Sequence, residues 1–110
     1  MYSDYVIFLD DMREVFPCAY KICEDVVHCR GDTDFLKTIK ERGCPKFIFF
    51  DHDLGYNVKT GYQLAQLFGS MIMDEEIQFH PEFGYHIQSA NPVGADNIRH
   101  YMENLIREYK

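Results

Sequence analysis

Apolar positions along the chain follow two rhythms. Four short runs are dense in β-branched and aromatic residues: Tyr5 to Leu9, Val26 to Cys29, Phe47 to Phe50, and Tyr85 to Gln88. Runs of this length and composition read as strands. The first and third are apolar at nearly every position, the mark of a strand buried on both faces. Between the runs, apolar residues recur at helical spacing: Phe35, Leu36 and Ile39; Leu64, Ala65, Leu67, Phe68, Met71 and Ile72; and Ile98, Tyr101, Met102, Leu105 and Tyr109. Each set predicts a helix with one buried face.

The punctuation agrees. Pro17 makes any helix after the first strand short or late to start. Gly31-Asp32-Thr33 offers a turn and an N-cap, and Gly43 before Pro45 a stop. Asn57 to Thr60 reads as a polar loop, and Thr60 with Gln63 fits a capping box. Asp74 to Gly84, with Pro81 inside it, is a connection. Asn91 followed by Pro92 is a helix start, with Asn91 as the cap. The order is strand–helix repeated four times, which predicts right-handed crossovers and a parallel sheet covered on both faces.

Length and composition narrow the class. One domain is expected over residues 1–110, with 46% hydrophobic and 26% charged residues, as in an ordinary globular protein. No apolar run approaches the roughly 20 residues needed to cross a bilayer. The N-terminus carries no signal-peptide pattern, so a cytoplasmic location is expected and a membrane partner is not. The formal net charge of −7 disfavours an extended nucleic-acid-binding surface. It leaves room for a small anionic ligand or a protein partner. Cys18, Cys23, Cys29 and Cys44 lack the two-residue gap of a zinc or redox motif. They read as free thiols behaving as small buried hydrophobes.

Candidate chemistry lies at the strand ends. Phe47 to Phe50 runs directly into Asp51-His52-Asp53-Leu54-Gly55, and Val6 to Leu9 into Asp10-Asp11. In an open parallel sheet these ends form the ligand-binding edge. Asp10, Asp11 and Asp51 gathered there would repel one another unless a cation or proton intervened, which points to Mg²⁺ or Mn²⁺. The same residues also admit structural roles: Asp10 or Asp11 capping the next helix, Asp53 stabilising a turn. His52, flanked by two carboxylates, is a candidate general acid or base with Asp53 fixing its tautomer. Ser89-Ala90-Asn91-Pro92-Val93-Gly94 is a candidate anion site at a helix N-terminus, where Gly94 leaves space for a ligand. Asn91 is either ligand or cap. Arg13 could reach the same pocket and bind phosphate bidentately. His86 lies inside a strand and faces either the pocket or the helical layer. His28, His80 and His100 read as structural or exposed.

Together, Leu9-Asp10-Asp11-x-Arg13, Asp51-His52-Asp53-Leu54-Gly55, Thr60-Gly61-Tyr62 and Ser89-x-Asn91-Pro92-x-Gly94-x-x-Asn97 resemble the cyclic-phosphate processing receiver domain family. The resemblance spans nearly the whole chain. It implies a receiver-like (flavodoxin-like) α/β/α fold with about four parallel strands in the order 2-1-3-4. It also implies a role on cyclic phosphates, of nucleotides or RNA ends. Three positions depart from the family pattern. No candidate exists for the lysine on a fifth strand that a phospho-accepting receiver uses. Gln88 stands where the family has His, with His86 two residues earlier on the same strand face and able to compensate in part. Ile98 replaces Met, a core variation.

These readings converge on a phosphoesterase that opens a cyclic phosphate. Asp51, His52 and Asp53 are its catalytic candidates. Arg13, His86, Gln88, Ser89, Asn91 and Gly94 are the substrate-binding candidates, and Asp10, Asp11 and Asp51 the metal ligands. Hydrolysis commonly uses two histidines, one as base and one as acid. With His52 alone, either a metal ion assists or the site binds without turnover. The alternatives are therefore a non-catalytic nucleotide- or protein-binding module and, third, a phospho-accepting receiver.

Overall fold

A computed structural model describes residues 1–54 and 59–110. Gly55 of the expected Leu-Gly turn, and part of the expected Asn57–Thr60 loop, lie outside the described residues. The order is β1 (Val6–Leu9), α1 (Pro17–Ile22), β2 (Val26–Cys29), α2 (Asp32–Arg42), β3 (Phe47–Phe50), α3 (Gly61–Met73), β4 (Gly84–Ile87) and α4 (Pro92–Tyr109). All three pairings are parallel and the strand order is β2-β1-β3-β4. The expected receiver-like topology is the one observed.

Alternation along β1 and β3 divides the core into two layers. Ile7, Leu9, Ile48 and Phe50 pack with Phe35 and Ile39 of α2, Leu64, Ala65 and Phe68 of α3, and Ile98, Met102 and Leu105 of α4. Val6, Phe8 and Phe49 face Ala19 of α1, with Val15 and Phe16 closing the edge. β1 is buried throughout, which explains its uninterrupted apolar run. The second layer is thin because α1 is only six residues long, as Pro17 at its start predicts.

Local capping follows the sequence closely. Thr60 Oγ1 accepts from the Gln63 amide at 3.2 Å while Gln63 Oε1 accepts from the Thr60 amide at 2.9 Å. Asn91 caps α4 with Pro92 in its first turn. At α2 the cap position is Gly31, and the carboxylate of Asp34 accepts from the Arg30 and Gly31 amides.

Three expectations need correction. Tyr109, in the last turn of α4, is 48% exposed, whereas Tyr101 is half-buried and packs against the core. Only Cys29 and Cys44 are buried, and burial pushes both thiols up to about 12. Cys18 is exposed, since α1 buries only Ala19, and Cys23, at the C-cap of that helix, is half-buried. β4 ends at Ile87, so Gln88 lies just beyond the strand. No helix among the described residues is long and apolar enough to cross a membrane.

Candidate functional site

Asp10, Asp51 and Gln88 each follow the last residue of β1, β3 and β4. Ladder hydrogen bonds extend into this row: the Asp10 amide donates to Cys29 O, and the Gln88 amide to Phe50 O. The register that buries the strands therefore carries three polar side chains to one edge of the sheet, where all three are buried.

Asp10 is held from every side. Its Oδ1 accepts from the amides of Met12 and Arg13 at 2.9 and 2.8 Å. Its Oδ2 accepts from Arg13 Nη1 and Gln88 Nε2, both at 3.2 Å. Arg13 Nη1 also donates to the backbone oxygen of Gln88 at 2.8 Å, tying the loop after β1 to the end of β4. Two donors on each oxygen fill the accepting capacity of a carboxylate. Asp10 thus turns the loop and anchors Arg13; it does not cap the next helix, because α1 starts only at Pro17 with Phe16 in the cap position.

Carboxylate oxygens of Asp10, Asp11 and Asp51 lie within 4.8 Å of one another. Burial, and next the neighbouring Asp10 charge, push the Asp51 carboxyl up to about 6, with Arg13 opposing the shift. The site is therefore short of positive charge, and its three carboxylates could hold a metal ion. With Asp10 saturated by donors, Asp11 and Asp51 are the more available ligands.

His52 begins a second group. Its Nδ1 lies 3.0 Å from Asp53 Oδ1, as the sequence order suggested. Its backbone oxygen accepts from the Gly61 amide at the start of α3, 2.9 Å away. The face of its ring lies against Gly94. The space that the missing Gly94 side chain was expected to leave for a ligand is thus filled by imidazole.

The start of α4 is also more committed than expected. Asn91 Oδ1 accepts from the Gly94 amide at 3.0 Å, and the Asn91 amide donates to Ser89 Oγ at 3.1 Å. Asn91 is the cap. With Pro92 lacking an N–H, the Val93 amide is the first-turn donor left for an anion.

Gln88 is 8% exposed, and its Oε1 finds no hydrogen-bond partner among the described residues. His86 stands apart. It lies on the α1 side of the sheet with its ring edge against Phe49, 5.8 Å between centroids, and is exposed.

Two further side chains adjoin the acidic group: His28, in the structural role its sequence position suggested, and Arg30, which the sequence did not single out. His28 Nε2 lies 2.9 Å from the Asp10 backbone oxygen, and Arg30 Nη1 donates to the Asp11 backbone oxygen at 3.3 Å. Arg30 directly follows β2, and that strand-end position was the available signal.

The family model for the cyclic-phosphate processing receiver domain matches residues 5–104. The chain belongs to this family. The match runs from the start of β1 well into α4, so it takes in every element described above and all the site residues. Comparisons with curated proteins and with solved structures gave no match. Membership accounts for the parallel receiver-like sheet and for an acidic cluster at its C-terminal edge. It associates the chain with cyclic-phosphate processing.

Proposed function

We propose that this receiver-like domain is a phosphoesterase that opens a cyclic phosphate, either of a cyclic nucleotide or of a 2′,3′-cyclic RNA end. One observation carries the reading. In a family of cyclic-phosphate processing domains, an electron-rich carboxylate group and a carboxylate-oriented imidazole share one sheet edge.

Asp53 accepts the Nδ1 proton of His52 in the neutral ring, which leaves Nε2 as the basic nitrogen. Nε2 takes a proton from an attacking water as its oxygen bonds to phosphorus. The bond from phosphorus to one ribose oxygen breaks, and that oxygen takes a proton from solvent. The product is a phosphomonoester. Arg13, anchored through Nη1, offers its remaining N–H groups to the phosphate, and Ser89 with the start of α4 lines the other side. Asp11 and Asp51, with Asp10 behind them, would hold a Mg²⁺ or Mn²⁺ ion, whose charge would neutralise the bound phosphate. Free cysteines fit a cytoplasmic setting.

A second reading is a binding module for a nucleotide or a protein partner. It is favoured by Gln88, an uncharged residue whose amide is committed to Asp10 where the resemblance expects a histidine.

The deciding experiment incubates the purified protein with 2′,3′-cyclic and 3′,5′-cyclic nucleotides, with and without Mg²⁺ or Mn²⁺. It follows both product and thermal shift. Product in the wild type that is lost in His52→Ala supports the esterase. A thermal shift without product selects the binding module. Silence in both overturns both readings for these ligands.

A further inference from the structure

Gly61 and Gly94 open the two helices that meet at the Asp51-His52 dipeptide, and each touches it where a side chain would be. A Cβ on Gly61 would lie 1.9 Å from the Asp51 backbone oxygen and 3.0 Å from His52 Cα. A Cβ on Gly94 would lie 2.3, 2.5 and 2.6 Å from Cγ, Cδ2 and Nδ1 of His52. Neither glycine has the positive φ that would explain it by backbone conformation; among the described glycines only Gly43 does. Space alone accounts for both.

The three ring atoms nearest Gly94 are Cγ and the two atoms bonded to it, Cδ2 and Nδ1, so the Cε1–Nε2 edge is the part of the imidazole farthest from the glycine. One of these three, Nδ1, makes the 3.0 Å contact to Asp53. We infer that Gly94, with Gly61 behind the backbone, is a positioning residue that seats the His52 ring so that Nδ1 stays bonded to Asp53 and Nε2 faces outward. That Nε2 then acts as a base rests on the esterase reading; the seat itself does not. Ordinary carbon contacts lie near ~3.5 Å, so a methyl at position 94 must push the ring by about 1 Å. A hydrogen bond already at 3.0 Å does not survive that displacement in usable geometry.

Long-range proton–nitrogen NMR correlations of the full chain, at alkaline pH where imidazole is neutral, read the tautomer directly. In wild type, His52 is expected as the Nδ1–H form. In Gly94→Ala its signals should move to the Nε2–H form or a mixture, as they should in Asp53→Asn. Wild-type His52 already in the Nε2–H form, or unchanged signals in Gly94→Ala, would overturn the inference. Should Gly94→Ala fail to fold, the same substitution in a His52→Ala background keeps the question open to measurement. The loss of denaturation midpoint caused by Gly94→Ala should largely disappear once the ring is gone. An equal loss in both backgrounds would make Gly94 a constraint of α4 alone and sink the idea. Where a cyclic nucleotide is turned over, Gly94→Ala should lower kcat by about 100-fold with KM little changed. Absence of turnover in the wild type would count against the esterase and leave the tautomer result standing.

Discussion

At the residue scale, the three carboxylates of the cluster differ in what surrounds them. Asp10 receives four hydrogen bonds, whereas Asp51 is buried beside that charge and is pushed up to about 6. A raised carboxyl in the folded state has a definite sign for stability. The contribution is fully present below the unfolded value of 3.8 and is lost as pH rises through about 6. Asp51→Asn, similar in shape and always neutral, removes this loss. Urea midpoints measured from about pH 4 to pH 7 should show the variant gaining on wild type through that window. Taking the difference between the two proteins cancels groups such as Asp4 and Asp25, whose hydrogen bonds to His80 and Arg42 hold their carboxyls low and act in the opposite direction. A flat difference would show that Asp51 does not ionise under strain.

At the element scale, α3 separates two kinds of helix-start residue that sequence alone presents side by side. Thr60 contributes a cap, and its replacement by Ala should cost about 1 kcal/mol. Gly61 sits against the Asp51 carbonyl, and Gly61→Ala should cost about 3 kcal/mol or more because backbone, not a side-chain tip, must move. Urea unfolding of both variants tests the ranking, and equal costs would refute the close packing of α3 on the end of β3. The capping box and the Asn91-Pro92 start were legible beforehand because each is a bond between residues within one turn. The contact between Gly61 and Asp51 was not, since nothing local distinguishes a glycine chosen for space from one chosen for conformation.

At the scale of the whole molecule, the chain carries a net charge of −7 and gathers three of its acids at one edge. A divalent ion bound there would stabilise the fold by mass action. At about 100 times its Kd the gain would be about 2.7 kcal/mol. Thermal melts with Mg²⁺ or Mn²⁺ should therefore rise in wild type and stay flat in Asp51→Asn. Equal shifts in both proteins would indicate binding to the acidic surface at large.

The architecture was readable in the amino-acid order because its causes are local or periodic. β1 and β3 are uninterrupted apolar runs since both faces of a central parallel strand are covered, and the helices announce themselves by spacing and caps. The convergence of Asp10, Asp11 and Asp51 followed from strand order alone. Tertiary structure decided what each side chain does there. The Gln88 amide reaches Asp10 across 78 positions, and the His52 ring fills the place above Gly94. Asn91 spends its oxygen on the cap, His86 turns to the exposed side of the sheet, and Tyr109 is exposed where a buried face was expected. These outcomes depend on which atoms compete for the same few ångströms, and that competition begins only when distant segments are packed together.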